Sequence, residues 1–261
     1  MKLALWQTGP QSRIDDALDA LAEEAGRAYE QGADLLVTPE MFLGGYNIGA
    51  DQVAAHADVS EPALERLKAI AKAEDIALVV GMALPGRLRP HNACIAIDRT
   101  GKEVARYHKT HLYGDVDRAQ FTAGDALPPV FDLDGWRVAL AICYDIEFPE
   151  LVRSLALRGA ELVVCPTANM VPFHSVATRI VPARAEENAI CVAYCNYVGS
   201  EGQFTYNGLS CVVGPDGADL VRGGEAGGLL FATLDKDALL AAREVQTHLN
   251  DRRADLYKDF R

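Results

Sequence analysis

One stretch of this chain occurs twice. Gly32-Ala33-Asp34-Leu35-Leu36-Val37-Thr38-Pro39-Glu40 returns almost residue for residue as Gly159-Ala160-Glu161-Leu162-Val163-Val164-Cys165-Pro166-Thr167. In each copy a glycine closes a helix, an apolar branched run reads as a buried strand, and a proline stops it. The flanking order repeats as well. In the first half the strand Leu3 to Trp6 precedes an amphipathic helix, Arg13 to Glu30, with Leu18, Leu21, Ala22 and Ala25 on one face. A helix over Glu61 to Ala73, a strand over Ile76 to Gly81 and a hairpin turning at Asp98-Arg99-Thr100-Gly101 follow. In the second half Trp136 to Ile142 is a strand and Pro149 to Leu157 a helix. A helix over Val176 to Asn188, a strand over Ile190 to Tyr194 and a hairpin around Gly214-Pro215-Asp216-Gly217 complete the match.

Two copies of strand–helix–strand–helix–strand–hairpin imply one domain over residues 1–261 with internal pseudo-two-fold symmetry. Helices must cover one face of each half-sheet, and the bare faces then bury each other. The expected fold class is therefore α/β, a four-layer α-β-β-α sandwich; the spacing is also compatible with a side-by-side sheet. Between the halves, His108 to Pro129 is polar and lacks periodicity, the mark of a functional loop. The C-terminal arm, about 239–261, starts as a helix and becomes charged, so it is either docked or frayed.

Composition narrows the function classes. With 49% apolar and 24% charged residues the chain has an ordinary globular make-up, and its net charge of −12 disfavours nucleic acid and anionic lipid as partners. No apolar run reaches membrane-spanning length. The six cysteines mostly lie inside apolar runs, which fits a reducing cytoplasm better than a disulfide framework. Cys191 and Cys195 fall on one face of a strand and read as core. The six histidines are scattered without ligand spacing, so neither metal nor cofactor is expected.

The repeat also places chemistry. Cys143 follows the buried strand and precedes Pro149-Glu150, a helix start, so its thiol sits on a strand-to-helix turn. Glu40 ends the equivalent run of the first half, and Lys109 ends its hairpin. In open sheets the working rim lies off the carboxyl ends of strands. An acid, an ammonium and a thiol on that rim form a set for acyl transfer, although each residue alone also suits a plain structural part.

Thr38-Pro39-Glu40-Met41-Phe42-Leu43-Gly44-Gly45-Tyr46, Tyr107-His108-Lys109-Thr110-His111-Leu112 and Ile142-Cys143-Tyr144-Asp145-Ile146-Glu147-Phe148-Pro149-Glu150 resemble the three signatures of the nitrilase, or carbon–nitrogen hydrolase, superfamily, in the family's order. The likeness runs from Leu3 to about Tyr257. It implies the sandwich, a Glu40–Lys109–Cys143 triad and dimer-based homo-oligomers. Amidases of small aliphatic amides look nearest, and Lys109 to Phe121 together with Pro166 to Met170 is similar to 5-aminopentanamidases.

On this resemblance Cys143 attacks an amide carbonyl, Glu40 shuttles the proton, and Lys109 with the Tyr144 backbone N–H steadies the oxyanion. The family often carries a second glutamate after the lysine. Here Asp117, four residues before Phe121, stands in that place one methylene shorter, with Asp115 as the competing residue. Glu147 is expected to favour an amine-bearing substrate and reject a carboxylate, or else to cap the following helix. Tyr46 and Asn169, just past strand ends, shape the pocket or serve as turn residues. The expectation is a cytoplasmic amidase acting on a small-molecule amide. A nitrilase or an N-carbamoyl-amine hydrolase would share the triad, a Cys-His peptidase would need a histidine base, and a binding protein on this fold would need no turnover.

Overall fold

The computed structural model describes residues 1–257. The first half lays down β1 (Lys2–Gln7), α1 (Ile14–Glu30), β2 (Leu35–Val37), α2 (Ala50–Asp58), α3 (Ser60–Ala73), β3 (Ala77–Leu84), β4 (His91–Ile97), β5 (Glu103–His108) and α4 (Gly114–Gln120). The second half adds β6 (Val130–Leu133), β7 (Trp136–Leu140), α5 (Pro149–Leu157), β8 (Leu162–Pro166), α6 (Val181–Glu186), β9 (Cys191–Cys195), β10 (Val198–Glu201), β11 (Phe204–Asn207), β12 (Cys211–Val213), β13 (Asp219–Arg222), β14 (Gly228–Thr233), α7 (Lys236–Val245) and α8 (His248–Asp251).

Two six-stranded sheets result, ordered β14-β1-β2-β3-β4-β5 and β6-β7-β8-β9-β12-β13. The orders correspond strand for strand. β1, β2 and β3 are parallel, as are β7, β8 and β9, and each sheet opens on an antiparallel strand beside its first parallel one. Period-two alternation puts one side of every strand into the inter-sheet core. Leu3, Leu5, Leu35, Val37 and Val79 of one sheet meet Val138, Leu140, Leu162, Val164 and Ala193 of the other. The intervening Ala4, Leu36 and Val80 face α1 and α3, while Ala139, Val163 and Val192 face α5 and α6. Helix, sheet, sheet and helix are thus stacked in four layers, and the side-by-side alternative is excluded.

Local chemistry accounts for the helices. In α1 Ala17, Leu18, Leu21, Ala25 and Ala28 are buried at three- and four-residue steps, with Asp15 and Asp16 in the first turn and Arg27 in the last, as the helix dipole favours. Helix α5 begins on Pro149, whose missing N–H costs nothing at that position. The glycines of the repeat, Gly32 and Gly159, both take a left-handed φ, of 78° and 90°.

Three expectations change. The segment 108–129 is not all loop, because it holds α4. Residues 176–188 begin as a π-type turn, Val176–Ile180, before α6. The hairpin expected around Gly214 to Gly217 has a broken first arm, divided between β11 and β12, where Gly208 and Leu209 adopt φ of 60° and 59°. The start of the C-terminal arm is docked: Leu239 is fully buried, and Arg243 donates to the carbonyls of Ala160 and Ala189. Lys236, just before the arm, pairs with Glu161 and lies 4.2 Å over the Trp136 ring. Residues 258–261 of that arm lie outside the described residues.

Candidate active site

The carboxyl ends of β2, β5, β7 and β8 converge at one rim. Past β2 the chain turns tightly, with Thr38 N–H and Leu43 N–H donating to Val79 and Gly81 carbonyls of β3. The turn lies so close to β3 that a Cβ on Gly81 would stand 2.5 Å from Met41 N and 2.6 Å from Pro39 O. Glycine is required there. Glu40 thereby enters the interior, and its backbone N–H donates to the carbonyl of Thr167, the matching position of the repeat, at 3.3 Å.

Lys109 follows β5 and is buried. Its Nζ donates to Glu40 Oε1 and to Asp117 Oδ2, both at 2.7 Å, and all three side chains are closed to solvent. Asn92 Nδ2 gives Glu40 Oε1 a second bond at 2.7 Å, whereas Glu40 Oε2 is buried with no hydrogen-bond partner among the described residues. Asp117, in α4, accepts further from Tyr46 Oη at 2.7 Å and from Tyr113 N–H at 2.8 Å. The shorter side chain of Asp117 therefore reaches the lysine, while Asp115 is exposed.

Cys143 opens a 3₁₀ turn, Cys143–Glu147, with φ of 46°, an uncommon conformation for a residue bearing a Cβ. The next N–H, that of Tyr144, lies in the first turn, where no intrahelical acceptor exists. The Tyr144 ring packs edge-on against Tyr113 and Phe148. Burial drives the Cys143 thiol far up and Glu40 adds to this, against Lys109, the Thr167 hydroxyl and the Ala168 N–H. Burial, reinforced by Asp117, also raises Glu40 above its ordinary value, against Lys109 and Asn92. For Lys109 burial works against the ammonium, yet Asp117 and Glu40 outweigh it and hold the side chain charged. Burial and the Asp117 and Glu40 charges keep the Tyr46 phenol neutral, and its ring lies 5.7 Å from Lys109 Nζ.

The outer residues separate. Glu147 is half-buried, and its side chain makes no hydrogen bond or ion pair among the described residues. Its carboxyl is raised by burial, against Arg184 and Lys109. It does not cap α5: Phe148 occupies that position, without a side-chain cap. Asn169 is turned to structure, with Nδ2 on the Phe173 carbonyl at 3.0 Å and its own N–H on Asn196 Oδ1 at 2.8 Å. Among the described residues no histidine is hydrogen-bonded to the sulfur: His91 stacks on His108, and His111 is bound to Asp145.

Sequence reasoning missed Asn92 and Asp145. Asp145 is fully buried and accepts from Tyr107 Oη, Thr110 Oγ1, Ile142 N–H and both the N–H and Nδ1 of His111, at 2.8 to 3.1 Å. It pins the Cys143 turn to the segment carrying Lys109. Only its place two residues after the cysteine could have drawn notice.

Known proteins converge on the same picture. A family model described as carbon-nitrogen hydrolase matches residues 2–244. A Pseudomonas protegens protein known as a hydrolase in the region 5′ of pqqF is 44% identical, covering all of this chain and 92% of the relative. An (R)-stereoselective amidase from a Pseudomonas species is 36% identical over 92% of this chain and 85% of its own. The NitN amidase of Nesterenkonia sp. AN1 superposes with a TM-score of 0.91 at 39% identity, covering each chain completely. Variants of that amidase have been solved with butyramide, and with the acetamide moiety of fluoroacetamide added covalently at the active-site cysteine. The motifs, the layered sheets and these relatives agree that the chain belongs to the carbon–nitrogen hydrolase family.

Proposed function

We propose that this chain, as one hydrolase domain spanning residues 1–261, cleaves the C–N bond of small aliphatic amides through a thioester on Cys143. The observation that carries the reading is Glu40 Oε2, a buried carboxylate oxygen with no partner among the described residues. A lone pair left unsatisfied in the interior is costly, so its place is that of a proton acceptor. As the sulfur attacks the carbonyl, the thiol proton passes to Oε2. The two-oxygen division lets Oε1 stay bonded to Lys109 and Asn92 throughout.

An ammonium has three protons. Two of those on Lys109 are taken by Glu40 and Asp117, which leaves the third for the developing oxyanion, beside the Tyr144 N–H. Glu40 then protonates the departing nitrogen and ammonia leaves. Water enters, gives a proton to Glu40 and attacks the thioester; collapse releases the carboxylic acid and returns the proton to sulfur. Asp117 and Tyr46 keep the lysine aimed, and Asn169 shapes the wall through the turn that it ties. The reading includes a homodimer or larger homo-oligomer working in the cytoplasm.

Ammonia release from short amides such as butyramide, with and without a terminal amine, tests the reading beside paired nitriles and N-carbamoyl amines. Amide turnover with an acyl adduct on Cys143 by mass spectrometry is expected, together with loss of both in Cys143→Ala. Turnover of only the nitriles or the carbamoyl compounds would replace the amidase assignment. The unpaired carboxylate of Glu147 suits a substrate ammonium, giving the class of ω-amino amides. Glu147→Arg should cut the preference for amine-bearing over neutral amides by about tenfold or more, since like charges brought together cost several kcal/mol. An unchanged ratio of kcat/KM values would remove Glu147 from substrate selection.

A further inference from the structure

Outside the reacting groups, one carboxylate is held in an unusual way. Glu201 ends β10 and is half-buried, far from Cys143 in sequence and in none of the three signatures. Its side chain accepts from the backbone N–H of Tyr46 at 3.1 and 3.2 Å, from the N–H of Asn47 at 2.5 Å and from Tyr206 Oη at 2.6 Å. Its backbone carbonyl accepts from Asn47 Nδ2 at 3.2 Å. The β10–β11 hairpin thus grips the loop that follows Glu40.

The fit is close on both sides. A Cβ on Gly45 would stand 2.4 Å from Glu201 Oε1, and one on Gly202, at the hairpin turn, 2.7 Å from Asn47 Nδ2. The loop needs such a grip, because Gly44, Gly45 and Gly49 all carry left-handed φ values and belong to neither a helix nor a strand. From Tyr46 an unbroken line of hydrogen bonds runs inward: Tyr46 Oη to Asp117, Lys109 to Asp117, Lys109 to Glu40.

We infer that Glu201 is a positioning residue, acting through the Tyr46 backbone to hold the Tyr46 hydroxyl, and with it Asp117, against Lys109. The inference rests on the hydrolase reading above, but it has a readout of its own. A misplacement of about 1 Å relayed to a reacting group costs on the order of a hundredfold in rate. Glu201→Gln keeps the shape and one acceptor oxygen while losing the charge that holds two amides. It should lower kcat by about tenfold or more with little change in KM and no change in melting temperature.

In a Tyr46→Phe background, where the hydroxyl is already gone, Glu201→Gln should cost less than about twofold, the mark of two residues acting as one. Hydrogen exchange at the Tyr46 and Asn47 amides, followed by mass spectrometry, should quicken in Glu201→Gln. That last measurement needs no turnover, so a failure of the hydrolase reading and a failure of the clamp are told apart. Unchanged exchange at those amides, wild-type kcat in Glu201→Gln, or an equal cost in both backgrounds would each overturn the role.

Discussion

At the scale of single residues, two carboxylates share one ammonium in a closed space, and the balance of charge sets the chemistry. Glu40 is raised by burial and by Asp117, so the acid limb of kcat/KM should lie above the ordinary glutamate value of 4.5. Asp117→Asn removes the like charge, and the limb should move to lower pH; a rate profile of both proteins checks the sign. Lys109→Met leaves Glu40 and Asp117 buried without their cation, which should destabilise the chain by about 3–5 kcal/mol. The folded state of that variant takes up protons that the unfolded state does not at the same pH. Its deficit is therefore full above the raised folded value of Glu40 and shrinks as the pH falls through it. Denaturant melts at about pH 8 and about pH 5 measure the difference. Glu40, Lys109 and Cys143 could be singled out from the chain because each follows a recognisable strand or turn. Asn92 could not: its link to Glu40 depends on a strand far along the sequence and leaves no local pattern.

At the scale of elements, most strands and helices of the internal repeat were visible beforehand from their apolar faces, and elements built on polar contacts were not. Helix α4 buries Asp117 and Gln120, the latter bonded to the Tyr46 carbonyl and the Gly49 N–H, so apolar periodicity says nothing about it. The β10–β11 hairpin was likewise missed, its burial being partial and its purpose the loop beneath it. The 3₁₀ turn at Cys143 depends on Asp145 in the same manner. Asp145→Ala strips acceptors from Tyr107 and the Ile142 N–H, both buried, at about 1–3 kcal/mol for each donor left unpaired. Urea unfolding should show that loss, and on the proposed mechanism kcat should fall more than KM rises, because the turn carrying Cys143 is no longer pinned to the segment carrying Lys109.

At the scale of the whole molecule, the two halves are joined by more than face-to-face packing. Strand β14, from the end of the chain, pairs antiparallel with β1 along Lys2 to Gln7, and α7 follows it across the second half. Leu239 of α7 is fully buried against the inter-sheet core, so Leu239→Ala should cost about 2–5 kcal/mol with the urea slope unchanged. The repeat made the four layers legible, because each copy carries its own alternation. The closing strand was not legible: a pairing between segments so far apart in sequence has no signature in either segment alone. That pairing sets an order of events during synthesis. Until the residues of β14 have left the ribosome, the first sheet lacks its outermost member, and a nascent chain that already contains Glu40, Lys109 and Cys143 has only part of the scaffold that holds them. Competence for turnover is therefore expected only once β14 has been made, and a chain cut short before it should be inert.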